Sequence, residues 1–174
     1  MSAEPSFRTE ALQSLMWAAV QTWGSKILTF VLFILLARLL TPVEYGVAAA
    51  GYLVLTLMGI FAEFGFGIAI IQRPDLKDNE INLPFFASMF LSIVLGVVVA
   101  LYPQFIENLI GVQGLAPIIT AVAILAPFNT AALFQESLYK RHAKYKPLAF
   151  RTLAGTALGG IIACAVAYAG WGVW

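Results

Sequence analysis

A lysine lies inside a long apolar stretch near the start of the chain, among polar residues that recur three, four and seven positions apart. This spacing places the polar residues on one face of a helix. The polar stripe consists of Ser14, Gln21, Thr22, Ser25, Lys26 and Thr29. Such a set of groups offers charge and hydrogen bonds rather than covalent chemistry. Two roles for Lys26 are open: it lines a solute pathway, or it clamps two helices together.

Motifs for covalent catalysis are absent from the sequence. It contains no Walker loop and no HExxH, CxxC or GxSxG pattern. The one histidine, His142, lies in a basic segment, and the one cysteine, Cys164, lies among alanines in an apolar run. The sequence therefore predicts a protein that is not an enzyme and that uses no cofactor or metal.

Composition indicates which elements position the polar stripe. Of 174 residues, 61% are hydrophobic and 11% are charged, and the mean hydropathy is +0.88. A soluble domain carries roughly 25% charged residues, so a soluble fold would leave too much apolar surface in water. A net charge of +1 without a long basic run argues against nucleic-acid binding, and one cysteine excludes a disulfide framework. We expect an integral membrane protein whose partner is the lipid bilayer.

Apolar runs bounded by charges, proline and glycine predict an all-α, polytopic transmembrane helix bundle. Each span needs roughly 20 mostly apolar residues. Five spans are expected at about 16–40, 45–71, 83–106, 116–138 and 148–169. Residues 1–15 then form a cytoplasmic N-terminal segment, and the bundle occupies residues 16–174. The residues after Gly170 are expected to begin a sixth span.

Lysine and arginine counts orient these spans, because basic residues concentrate on the cytoplasmic side. Arg38 is the single basic residue on one side, Lys26 lies within the bilayer, and the other eight lie on the side of the N-terminus. These eight are Arg8, Arg73, Lys77, Lys140, Arg141, Lys144, Lys146 and Arg151. The N-terminus is thus predicted to be cytoplasmic. The dense group at residues 140–146 also has the charge to attract anionic lipid headgroups, although topology alone accounts for it.

Depth makes Lys26 the most informative of the polar residues. It lies ten residues beyond Met16, about 15 Å along the helix and near the bilayer middle. A lysine there costs roughly 2.5–3.5 kcal/mol, which the following apolar residues offset at about 0.3–0.6 kcal/mol each. Glu63, eight residues before Ile71, lies about 12 Å deep on the next span, so depth alone makes it a candidate partner of Lys26. Arg38, at a span end, can reach the interface.

Three segments of the chain resemble one protein family. Residues 36–46, LARLLTPVEYG, are similar to the end of the first helix in bacterial polysaccharide flippases, the Wzx-type exporters of the multidrug/oligosaccharidyl-lipid/polysaccharide superfamily. Residues 61–73, FAEFGFGIAIIQR, resemble that family's second-helix ending, in which an acidic residue precedes Phe-Gly. Residues 145–174 resemble its fifth helix and the entry to its sixth. The resemblance runs from about Gln13 to Trp174.

The resemblance implies the N-terminal lobe of a two-lobe transporter that works by alternating access in the bacterial inner membrane. The implied cargo is an oligosaccharide on a polyprenyl pyrophosphate, exported for exopolysaccharide or O-antigen synthesis. A pyrophosphate that crosses a low-dielectric core needs positive charge nearby, which the stripe around Lys26 supplies. The residues expected along the substrate pathway are Lys26, Gln21, Thr22, Ser25, Glu63 and Arg38, of which the last two match motif positions.

The resemblance covers an incomplete first lobe. We expect the chain to be a fragment that works with the rest of the transporter or with other polysaccharide assembly proteins. Two alternatives stay open. One is a transporter of other amphipathic solutes, such as drugs or a different lipid precursor. The other is a membrane scaffold without transport activity, either an accessory subunit or a truncated remnant.

Overall fold

The structure, a computed structural model, describes residues 4–72 and 78–172, with side chains over residues 12–72 and 80–172. The secondary structure of these ranges is helical: α1 (Glu4–Leu39), α2 (Pro42–Glu63), α3 (Phe66–Gln72), α4 (Asp78–Leu101), α5 (Pro103–Ile110), α6 (Ala116–Arg141) and α7 (Tyr145–Tyr168).

Five stretches of these helices are long and apolar enough to cross a membrane. They are Leu12–Leu39, Pro42–Glu63, Glu80–Leu101, Ala116–Arg141 and Tyr145–Tyr168. The predicted all-α bundle with five spans is confirmed. The expected start of a sixth span includes residues 173–174, which lie outside the described residues.

The first of two compact units pairs α1 with α7, and the two helices run parallel. A Cβ built at Gly24 would lie 3.1 Å from a methyl group of Leu153, and one built at Gly160 would overlap the side chain of Leu32. Residue numbers rise together along both helices, so α1 and α7 cross in the same direction. This is the arrangement expected of a first and a fifth span, because three spans lie between them and consecutive spans alternate in direction.

The second unit contains α2 to α6, and α6 contacts each of the other four helices. Helix α2 runs parallel to α6, since Gly51 meets Ile118 and Gly59 meets Leu133 further along both helices. Helix α4 runs antiparallel to α6. Two apolar clusters form the core, one of Val54, Met58, Val122 and Ala126, the other of Val47, Leu115 and Ile119.

Within the predicted second span, 45–71, the helix breaks after Glu63. Phe64 and Gly65 have left-handed backbone angles, with φ of 46° and 80°. The Phe64 N–H donates to the Ile60 carbonyl and ends α2, and α3 begins at Phe66. Glycine takes positive φ at little cost, so Gly65 allows the chain to turn here.

The predicted third span, 83–106, is also interrupted. Helix α4 ends at Leu101, and Pro103 starts the short helix α5, where the missing proline N–H is tolerated. From α5, a carboxylate oxygen of Glu107 accepts the Ala116 N–H at 2.6 Å and thereby caps α6. Helix α6 itself continues through Pro127.

The segment that joins α1 to α2 is held by a capping box. The Thr41 hydroxyl accepts the Glu44 N–H at 3.3 Å, and a Glu44 carboxylate oxygen accepts the Thr41 N–H at 2.8 Å. Pro42 occupies the first turn. These residues belong to the LTPVEYG motif, so one physical role of that motif is to start a helix cleanly.

A single methyl group at Gly96 should separate α4 from α6. A Cβ there would lie 2.8 Å from the Ala123 carbonyl oxygen, a backbone atom that no side-chain rotation can move. We expect Gly96→Ala to lower the free energy of unfolding by about 1–3 kcal/mol. Gly155→Ala is the control, since nothing lies within 4 Å of its Cβ position. Unfolding in mixed micelles followed by circular dichroism measures both, and equal stabilities would contradict the packing.

Candidate functional site

Lys26 lies on the open face of α1, halfway along its span. It is 14 residues after Leu12 and 13 before Leu39, the ends of that span. Its side chain is exposed, and its ammonium nitrogen lies 5.8 Å from the centre of the Trp23 ring, within range of a cation–π contact. A groove of about 370 Å³ surrounds it, lined by Ser25, Lys26, Thr29, Phe30 and Phe33. The site thus combines one mid-span charge with hydroxyl and aromatic surface.

The predicted polar stripe divides into two parts. Gln21 is buried and lies on the same face of α1 as Gly24, which packs on α7. Ser25 is half-buried, and its hydroxyl donates to the Gln21 carbonyl at 2.6 Å, so it is satisfied within α1. Thr22 is exposed. Within the polar stripe, the side chains of Thr22, Lys26 and Thr29 are exposed and therefore open to a solute.

Glu63 lies at the end of α2, where the chain turns into α3. A Cβ built at Gly67 would overlap its carboxylate and would lie 2.6 Å from the Ser137 hydroxyl oxygen of α6. Gly67 therefore makes room for a half-buried carboxylate beside a buried hydroxyl. The Ser137 hydroxyl donates to the Leu133 carbonyl at 3.2 Å, so its proton is already committed.

Arg38 lies in the last turn of α1 and is exposed. A positive charge at a helix C-terminus interacts favourably with the helix dipole, and a long side chain there can reach the interface. The position favours a structural role in ending the span as much as contact with a solute.

The contact of Lys26 with Glu63 remains a prediction. Lys26 belongs to the α1–α7 unit and Glu63 to the α2–α6 unit. A double-mutant cycle of Lys26→Ala and Glu63→Ala measures the coupling directly, and a coupling energy of zero would exclude the pair.

Buried hydroxyls between α4 and α6 were not singled out from the sequence. The Thr130 hydroxyl donates to Ser92 Oγ at 2.9 Å, and both residues are at most 2% exposed. Ser88, one turn before Ser92, is 1% exposed, and its hydroxyl has no hydrogen-bond partner among the described residues. The four-residue spacing of the two serines in an apolar span was the available signal. Hydrogen bonds of this kind hold helices together in lipid.

The described residues bring together no group of three or more His, Cys, Asp or Glu side chains. The arrangement can instead attract an anion or hydrogen-bond a sugar at the open face of α1, through Lys26 and the neighbouring hydroxyls.

Comparison of the sequence with known protein families gives one match that covers most of the chain. The profile of a family described as polysaccharide biosynthesis protein matches residues 35–174, which is most of the chain. The chain belongs to the polysaccharide biosynthesis protein family. This match confirms the family resemblance drawn from the three motif segments. With its five apolar spans, the chain is a multi-pass membrane protein of this family.

Curated proteins match most of this chain at low sequence identity. The chain is 22% identical over 158 residues to the succinoglycan biosynthesis transport protein ExoT of Rhizobium meliloti (strain 1021), covering 91% of this chain and 32% of that protein. It is 25% identical over 119 residues to the lipopolysaccharide biosynthesis protein WzxC of Escherichia coli (strain K12), covering 68% and 24%.

A third relative is an uncharacterized membrane protein in the cps region of Klebsiella pneumoniae, 25% identical over 120 residues, with 69% of this chain and 25% of that protein covered. The chain therefore spans about a quarter to a third of the length of these relatives. No solved structure gives a significant match.

The two serines of α4 form a matched pair for mutation. Ser92→Ala removes the hydrogen bond between α4 and α6 and leaves Thr130 only the Ala126 carbonyl of its own helix, at 3.1 Å. We therefore expect it to lower the free energy of unfolding by about 0.6–1.7 kcal/mol. Ser88→Ala removes a buried hydroxyl that has no partner among the residues that the structure describes, so we expect unchanged or greater stability. Unfolding in mixed micelles measures both variants. A larger loss for Ser88→Ala than for Ser92→Ala would contradict these hydrogen-bond assignments.

Proposed function

We propose that this chain is the N-terminal part of a flippase that moves lipid-linked oligosaccharide units across the bacterial inner membrane. The units would serve exopolysaccharide or O-antigen synthesis. The observation that carries the proposal is the family match over residues 35–174, together with relatives named for succinoglycan transport and lipopolysaccharide biosynthesis.

The proposed role of Lys26 is to attract the phosphate groups of the cargo during passage. A diphosphate leaves the interface at a high cost in free energy, because its charge is poorly solvated in a low-dielectric core. A single mid-span ammonium on an open helix face reduces this cost by charge-assisted hydrogen bonding. Thr22 and Thr29, one turn to either side and both exposed, add hydroxyls that suit a sugar.

The proposed cycle is alternating access between the two sides of the membrane. Such a cycle needs places where the backbone changes direction, and these are commonly helix ends. The break at Phe64–Gly65 and the end of α4 before Pro103 are two such places in the α2–α6 unit. They support the proposal because each joins a span to a short helix, α2 to α3 and α4 to α5, at a point where the backbone already changes direction.

The proposed orientation has the N-terminus in the cytoplasm. The parallel packing of α1 and α7 supports it, because it brings the starts of both helices to one side. Lys144 and Lys146 lie at the start of α7, and Arg38 lies at the opposite end of α1. The positive-inside rule assigns the side with more lysine and arginine to the cytoplasm.

Replacing Lys26 with glutamine in the full-length gene product should reduce export of the lipid-linked unit by about tenfold or more. The reason is that a hydrogen bond to a charged group is worth about 1.5–3 kcal/mol. Lys26→Arg keeps the charge and should retain much of the rate. The rate is measured as protection of a fluorescent lipid-linked oligosaccharide from an impermeant quencher in proteoliposomes.

Lys140→Gln is the matched control for this measurement. Lys140 is already paired with Glu136 at 2.7 Å, near the end of α6, so its loss should leave export unchanged. Normal export by Lys26→Gln at normal protein level would contradict the proposed role and favour the clamp. No export by the unaltered protein would favour a scaffold without transport activity.

A further inference from the structure

Two cavities meet where α7 begins, beside Trp17 of α1. One, of about 320 Å³, has a polar lining that includes Ser14, His142, Lys144 and Tyr145. The other, of about 640 Å³, runs further along the two helices and is almost entirely apolar. Its lining consists of Trp17, Leu28, Lys146, Pro147, Phe150, Leu153, Ala154 and Ala157. Three residues line both cavities: Trp17, Lys146 and Pro147. The two cavities therefore form one amphipathic site.

Lys146 lies at the junction of the two cavities. Its ammonium nitrogen is 5.7 Å from the centre of the Trp17 ring, a cation–π distance that holds the charge at the mouth of the apolar groove. Lys144, which lines the polar cavity, adds a second positive charge next to it. The Ser14 hydroxyl is directed to the Ala143 carbonyl at 3.5 Å and holds α1 against the turn before α7. The mouth of the site is thus cationic.

The apolar groove has the depth of one lipid leaflet. Its lining extends from Trp17 to Leu28 on α1 and from Lys146 to Ala157 on α7. Each stretch advances eleven residues, or about 16 Å of helix. Half of a hydrocarbon core about 30 Å thick is close to this length. The groove therefore suits one acyl chain, whereas a polyprenyl tail, which is several times longer, would extend far beyond it.

The charge at the mouth decides which lipid binds. An apolar groove inside a bilayer gains little from a lipid tail, because the tail is surrounded by hydrocarbon wherever it lies. Selectivity must come from the headgroup, and two lysines at the level of the interface favour a negative one. Basic pockets between transmembrane helices select anionic headgroups for this reason.

We propose that the α1–α7 groove binds an anionic phospholipid of the bilayer, with its phosphate at Lys144 and Lys146 and one acyl chain along Phe150 and Leu153. The lipid fills the space beside Trp17 and connects α1 with the start of α7. This site is separate from the open face of α1 that carries Lys26, and it stands whether or not the chain transports lipid-linked sugars.

Trp17 provides a local readout of the bound lipid. With Trp23, Trp171 and Trp174 replaced by phenylalanine, its fluorescence reports quenching by lipids with brominated acyl chains. The chain is placed in nanodiscs of phosphatidylcholine that contain a series of mole fractions of brominated phosphatidylglycerol or, separately, of brominated phosphatidylcholine. We expect half-maximal quenching of Trp17 at a lower mole fraction of brominated phosphatidylglycerol than of brominated phosphatidylcholine.

Lysine variants test whether charge causes the preference. Each of Lys144→Gln and Lys146→Gln should reduce the relative binding constant of phosphatidylglycerol over phosphatidylcholine by about fivefold, the factor expected for one basic residue near the surface. Lys146→Arg should keep the preference. Lys140→Gln, the ion-paired control, should also keep it. Circular dichroism shows whether each variant retains its helices, and Lys146→Arg secures the test if a glutamine variant fails to fold.

Three results would overturn the proposal. Equal quenching by the two brominated lipids would show that the site does not select an anionic headgroup. A preference that survives loss of both lysines, or that disappears in Lys140→Gln, would show that these lysines do not bind the phosphate. Stronger relief of the quenching by polyprenyl pyrophosphate than by an equal mole fraction of unbrominated phosphatidylglycerol would assign the groove to a lipid-linked cargo rather than to the bilayer.

Discussion

A positive charge halfway along a membrane span is the constraint on which the rest of this chain depends. Leaving Lys26 in hydrocarbon costs roughly 2.5–3.5 kcal/mol. The apolar residues around it let the helix insert, but they do not solvate the ammonium. The side chain lies over the Trp23 ring on a face that α7 does not cover. Helix α1 therefore needs one face for α7, one for lipid and one for a polar environment.

The lipid environment also explains how the other helices pack against one another. In lipid, apolar surface does not drive helices together, so contact depends on small residues and on polar pairs. Gly96 lets α4 approach the backbone of α6, and Gly160 admits Leu32 between α7 and α1. The hydrogen bond from Thr130 to Ser92 joins α6 to α4. Residues that weaken a soluble helix thus position these spans.

Hydropathy and charge were sufficient to predict the five spans and the all-α class, because each span must satisfy its backbone internally and match the bilayer thickness. The breaks at Phe64 and at Tyr102 were missed, since both lie within apolar runs and depend on backbone angles at one or two residues. The acidic residue before Phe-Gly is now explained in part, because Gly67 gives the Glu63 carboxylate room.

Rotation about the helix axis was the least predictable property of the site. Spacing placed Gln21 and Lys26 on one broad stripe, yet the first is buried and the second is exposed. The two residues are five positions apart, about 140° around the helix axis, and the contacts of Gly24 and Leu32 with α7 decide which of them is covered. The buried serines of α4 were not predicted, because a hydroxyl group barely reduces the mean hydropathy of a span.

If Lys26 serves a solute, its face of α1 must meet water or that solute rather than lipid. Scanning cysteine accessibility, in membranes and in a Cys164→Ala background, measures which of the two it meets. Cysteines at positions 22, 26 and 29 probe that face, and cysteines at 27, 31 and 34 probe the opposite one. We expect a membrane-impermeant cationic thiol reagent to modify the first set much faster than the second. Equally slow modification at all six positions would contradict it.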